Sequence, residues 1–173
     1  MSGLDRFVGL RVEQASGERV VAAFTVTPEL HQIAGIVHGG VFASVVETTA
    51  SLGAGLWLAG DGLPVGMANH TDFLRPVRGG TLRVEATPVE RDGATQLWQV
   101  HVTDDRDRLD AAGRVRLLTL RSGPVAETGL SQYAEHLAPA GPGERDDPAP
   151  GPPGAAPAYP VRRRPPSRGT RTR

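Results

Sequence analysis

One stretch constrains this chain more than any other. From Ile33 to Gly60 there is a single formal charge, Glu47. The run His38-Gly39-Gly40-Val41-Phe42-Ala43-Ser44-Val45-Val46-Glu47-Thr48-Thr49-Ala50-Ser51-Leu52 reads as the greater part of one long buried helix, roughly 39–58. It has a glycine-rich start and a glycine-rich stop, Ala59-Gly60-Asp61-Gly62. Whatever this chain folds into has to surround that helix. A lone carboxylate on it is costly to bury unless it is paired or hydrogen-bonded.

The flanking sequence supplies strands to do the surrounding. Residues 7–15 read as the start of a strand, Ser16-Gly17-Glu18 as a turn, and 19–27 as a β-branched strand that pairs back and ends at Pro28. Residues 29–37 form a connecting loop with Gly35 as its flexible point. After Pro64, strands are expected over 65–74, 81–87, 95–102 and 109–120. Arg91-Asp92-Gly93 and Asp104-Asp105-Arg106-Asp107 make the two later turns. The plan is two strands, one long helix and four strands, an α+β arrangement with an antiparallel sheet. One helix covers one face of such a sheet and leaves the other to solvent or a partner.

Composition divides the chain near residue 138. Ten of the 15 prolines fall in 139–173, together with seven arginines against Glu144, Asp146 and Asp147. That tail carries +4, so the remainder carries −4 for a net charge of 0. Residues 1–137 are expected to be one domain and 138–173 a disordered Pro/Gly/Arg-rich tail. An acidic folded part argues against nucleic-acid binding. All basic residues are arginine, which reads as a compositional bias. With no cysteine, disulfides, thiolate metal sites and a cysteine nucleophile are excluded. The histidines show no metal-ligand spacing, so no metal and no cofactor are expected. The stretch 41–58 has the length to raise the question of a membrane span, but Glu47, Gly53, Gly55 and the hydroxyl residues argue against one. With no signal-peptide pattern at the start, a cytoplasmic protein is the expectation.

The chemistry concentrates at the helix. Backbone N–H groups at a helix start have no intrahelical partner, and a glycine lets an oxygen approach them closely. Gly39 and Gly40 therefore offer a place for an oxyanion or, equally, a tight entry into a buried helix. Ser51 lies at i+4 from Glu47 on the same face. His38 reads either as a base or donor, or as a cap. Gln32, in the loop before the helix, reads either as a solvated side chain or as a donor toward the same oxygen as Gly39. Gly39 and Glu47 lie about 12 Å apart along one helix axis. A carbonyl within about 3 Å of both requires two helices running antiparallel across a two-fold axis, so if both residues act the protein is at least a dimer.

The pattern Gln32-x6-Gly39-x7-Glu47-x3-Ser51, with His38-Gly39-Gly40 inside it, resembles the signature of hotdog-fold acyl-CoA thioesterases. It is most similar to the branch of 4-hydroxybenzoyl-CoA, phenylacetyl-CoA-type and 1,4-dihydroxy-2-naphthoyl-CoA thioesterases. Phe73-Leu74-Arg75-Pro76-Val77-Arg78-Gly79-Gly80 and Gln96-Leu97-Trp98-Gln99-Val100 add to the likeness, which spans residues 5–121. The resemblance implies a hotdog fold, an antiparallel sheet of roughly six strands wrapped around the central helix. It implies hydrolysis of a small aromatic or medium-chain acyl-CoA, or of an acyl-carrier protein, by a homodimer or dimer of dimers. Gly39 N–H and the Gln32 side chain would polarise the thioester carbonyl and His38 would help position it. Glu47 of the facing subunit would attack or activate water, oriented by Ser51. Gly40, Asn69, Arg75 and Arg78 would bind substrate, the arginines at the CoA phosphates. Two positions depart from the family pattern. Gly66 aligns where some members carry a Ser or Thr, and Asn69-His70 falls earlier than the family's Asn-His pair. The alternative is a hotdog protein that binds acyl thioesters without hydrolysing them. A hotdog dehydratase is a third class, and its His/Asp pairing is absent from this helix context.

Overall fold

The computed structural model describes residues 3–121. In chain order it contains helix α1 (Gly3–Val8), strands β1 (Arg11–Ala15) and β2 (Val20–Thr25), a single 3-10 turn (Pro28–Leu30), helix α2 (Gly39–Leu58), and strands β3 (Leu63–Phe73), β4 (Thr81–Arg91), β5 (Thr95–Thr103) and β6 (Leu109–Leu120). The expected 137/138 domain boundary and the tail beyond it lie outside the described residues.

The six strands form one antiparallel sheet in the order β1-β2-β4-β5-β6-β3. It wraps α2. From the sheet come Val20, Ala22, Phe24, Leu82, Val84, Ala86, Trp98, Val100, Val102, Val115 and Leu117, all fully buried. From the helix come Phe42, Val45, Val46, Ala50 and Ala54. By length and composition α2 is apolar enough to cross a membrane, and this core accounts for its apolar side. Its buried hydroxyl, Thr49, donates back to Val45 O at 2.8 Å, which removes the cost of an unmade hydrogen bond. Gln96, also buried, accepts from Trp98 Nε1 at 2.9 Å.

The helix ends where the sequence says it should. His38 is the N-cap, and Ala59 takes the left-handed conformation (φ 49°) ahead of Gly60 (φ 94°).

Three features differ from the expectations drawn from sequence. Residues 7 and 8 close helix α1 and do not begin a strand. That short helix is held by tertiary contacts: Thr48 Oγ1 donates to Asp5 Oδ1 at 2.9 Å, and Val8 and Leu10 enter the core. Strand β4 runs on past Pro88 to Arg91. Pro88 is tolerated because β2 pairs with β4 only as far as Ala86, so its missing N–H breaks no ladder on that side. Strand β3 begins at Leu63 and carries Pro64, allowed because β3 is an edge strand. It pairs with the last strand, β6, and not with its sequence neighbour β4.

Candidate active site

The start of α2 distributes its free donors unequally. His38 Nδ1 accepts from Gly40 N at 2.8 Å, and His38 O accepts from Val41 N at 2.9 Å. Of the first three helical N–H groups, Gly39's is therefore the one left for a ligand oxygen. Each glycine here makes room for a ring. A Cβ on Gly40 would lie 2.9 Å from His38 Nδ1, and one on Gly39 would lie 2.8 Å from the Phe73 ring. Phe73 is half exposed and packs against Phe42 with ring centroids 6.1 Å apart. An aromatic surface thus stands beside the free N–H.

Gln32 is built into the loop that leads to this point. Its Oε1 accepts from Ala34 N at 2.7 Å, which leaves the Nε2 end as its donor. Its backbone closes the loop with Ile36 and Gly35. Arg78 braces the same loop from the β3–β4 connection, donating to Gly35 O at 2.9 Å and to Ala34 O at 3.3 Å. Val37 N donates to Val77 O at 2.8 Å. The guanidinium of Arg75 faces the nearly buried Asp110, with Nε 3.4 Å from Oδ1. Burial first, then the charge of Asp104, pushes the Asp110 carboxyl above its ordinary range, against the pull of Arg75 and Arg108. Arg75 and Arg78 line a cleft of about 270 Å³ together with Arg106, Arg108, Asp104 and Asp110.

Glu47 sits two turns further along α2, half-buried, on the side that faces β3. Asn69 Nδ2 donates to Glu47 Oε2 at 3.0 Å and to Ala43 O at 2.9 Å. Thr71 Oγ1 donates in turn to Asn69 Oδ1 at 2.7 Å. The other carboxylate oxygen, Oε1, lies over Gly66, where an added Cβ would collide with it. Ser51, half-buried one turn on, shares this side of the helix. Within one chain, then, two groups form: Gln32, His38, Gly39, Gly40 and Arg78 at the helix start, and Glu47, Ser51, Asn69, Thr71 and Gly66 at β3. The uninterrupted helix holds them about 12 Å apart. Sequence reasoning did not single out Thr71 or Phe73. It met Gly66 only as a missing hydroxyl, because side-chain clearance leaves no mark in residue type.

Residues 34–111 match the thioesterase superfamily. A Mycobacterium tuberculosis protein named "putative esterase" is 39% identical over 123 residues, covering 69% of this chain and 88% of its own length. The chain belongs to the thioesterase superfamily. As a solved structure, the tuberculosis protein aligns with 71% of this thioesterase and 100% of its own chain at a TM-score of 0.68. AziG from S. sahachiroi aligns at 0.69 with 41% identity, covering 70% and 98%. The 1,4-dihydroxy-2-naphthoyl-CoA hydrolase of Listeria monocytogenes is 27% identical over 107 residues, 62% of this chain and 87% of its own. The fold is the hotdog fold expected from the helix signature, and the chain is a thioester hydrolase by family.

Proposed function

We propose that this thioesterase hydrolyses a small aromatic or medium-chain acyl-CoA (or the same acyl group on a carrier protein) in the cytoplasm, in a site shared by two copies of the chain. The Gly39 N–H and the Gln32 amide of one copy polarise the thioester carbonyl. Glu47 of the other copy attacks the acyl carbon or takes a proton from the water that does, with Ser51 beside it. The C–S bond breaks, the thiol leaves protonated, and water supplies the oxygen of the acid product.

The observation that carries this reading is the spacing: one free N–H and one held carboxylate on a single straight helix, too far apart to meet in one chain. Strand β3 supports a second copy. It is 11 residues long, lies at the sheet edge among the described residues, and exposes Met67 and Phe73, with Leu74 just beyond it, which is unusual for an outer edge left without a partner strand. Because Glu47 lies against β3, a partner pairing there would come close to it. The aromatic pair Phe42–Phe73 beside Gly39 favours an aryl acyl group, in line with the substrate named for the Listeria relative.

Purified protein assayed against aryl and fatty acyl-CoAs tests this. Glu47→Gln should lower kcat by about 10²- to 10⁴-fold while acyl-CoA still binds. A wild type that hydrolyses no thioester in the panel contradicts the proposal and favours the binding-protein alternative.

A further inference from the structure

The placement of Glu47 depends on a local irregularity in β3. Gly66 and Asn69 are three residues apart, so in a regular strand they would face opposite sides of the sheet. Here both face α2: Gly66 stands opposite Leu117 and Asn69 opposite Val115, two buried residues of the same face of β6. The register shift between Gly66 and Ala68 makes Met67 the extra residue of a bulge, and that extra residue brings the two together.

What they do there is complementary. Asn69 spends both of its Nδ2 hydrogens, one on Glu47 Oε2 and one on Ala43 O. Thr71 fixes which way the amide points, since a flipped amide would set Oδ1 against two acceptors. Gly66 gives Glu47 Oε1 the volume a Cβ would fill. We propose that Asn69 and Gly66 are positioning residues that set the aim and the reach of Glu47, with Thr71 locking the amide and the bulge at Met67 bringing all three to the helix side. One oxygen of the carboxylate is held and the other is left for the reaction. This rests on the reading of Glu47 as the reacting group.

The test separates positioning from folding. Gly66 has no left-handed backbone, so alanine fits its conformation, and the group in the way is the free end of a flexible side chain. Gly66→Ala should keep the wild-type melting temperature and KM while kcat falls about tenfold or more, the scale expected for a displaced catalytic group. Glu47→Asp, which shortens the arm, should also lose activity, and Gly66→Ala should cost the Asp variant far less than it costs the wild type. Asn69 is the only asparagine in the sequence, so asparagine-selective ¹⁵N labelling gives a single side-chain NH₂ pair. That pair should shift in Glu47→Ala and in Gly66→Ala as the bond to Oε2 is lost. An unchanged kcat in Gly66→Ala, a large drop in its melting temperature, or an NH₂ pair that stays in place would each overturn the proposal. If the wild type hydrolyses no acyl-CoA, the functional reading falls, and the NH₂ spectrum still decides the placement of Glu47.

Discussion

Helix α2 has two sides that use glycine in opposite ways. On the side facing the middle of the sheet, a Cβ on Gly53 would lie 2.5 Å from the Trp98 ring, and one on Gly113 of β6 would lie 2.5 Å from Val46. These side chains are fully buried and apolar, and the contact is packing. On the side facing the edge strand, the space above Gly66 is taken by the end of a carboxylate. Gly53 and Gly113 serve packing, and Gly66 serves placement of a polar group. The difference shows how one helix can be the core of a fold and still present a reactive side chain. The reactive residue faces β3, one of the two edge strands among the described residues, where the sheet does not bury it.

The comparison can be broken by substitution. The largest effect belongs to Glu47: Glu47→Gln should remove about two to four orders of magnitude in kcat. Its stability should stay within about 0.5 kcal/mol of wild type in thermal unfolding. On the core side the balance reverses. Gly53→Ala gains about 1 kcal/mol of helix propensity, but forces a methyl into a ring that cannot move, an overpacking cost of about 1–3 kcal/mol. Net destabilisation by denaturant titration, with kcat per folded molecule preserved, is the expected result. A Gly53→Ala variant more stable than wild type would erase the distinction between the two sides.

Arg78 sharpens the account at the helix start. Among the described residues its guanidinium donates to the loop carbonyls of Ala34 and Gly35. Arg78→Ala should therefore lower kcat by about tenfold through misplacement of Gln32 and Gly39. Arg78→Lys, with one donor nitrogen in the same region, should restore part of it. An effect confined to KM would assign Arg78 to the CoA phosphates instead.

The smallest effect is on the sheet face turned away from α2. There Arg19 first, and then Arg83, holds the Glu85 carboxyl down at about 2. The folded value lies below the unfolded one, so the stabilisation is present above about pH 4.5 and is lost as pH falls toward 2. Because the side chains are partly exposed, Glu85→Gln should cost under about 1 kcal/mol at pH 7 and nothing near pH 2, with catalysis untouched.

The helix was legible in the sequence because its signals agree: a glycine start, a long run with one charge, and a glycine-rich stop. The bounds 39–58 and the plan of two strands, a helix and four strands followed from local pattern alone. Helix α1 was not legible, since six residues are too few to show a period and what holds them is Asp5 on Thr48 and Val8 in the core. The lone charge of Glu47 was visible. Its partners were not, because Asn69 and Gly66 reach it only through the register of β3 on β6 and a one-residue bulge. His38 was read with a cap as one of its possibilities, and its Nδ1 does cap Gly40.

The central claim is that Gly39 and Glu47 act together only across two chains. Gly39→Pro removes the free N–H and also sets ring atoms against Phe73, at a position where the extended backbone of His38 accepts a following proline. Mixing this variant with Glu47→Gln under conditions of measured subunit exchange forms hybrids with one intact site. Each variant alone should be nearly inactive, and an equal mixture should recover about a quarter of wild-type kcat by random pairing across the two-fold axis. No recovery in mixtures with demonstrated exchange would contradict the shared site.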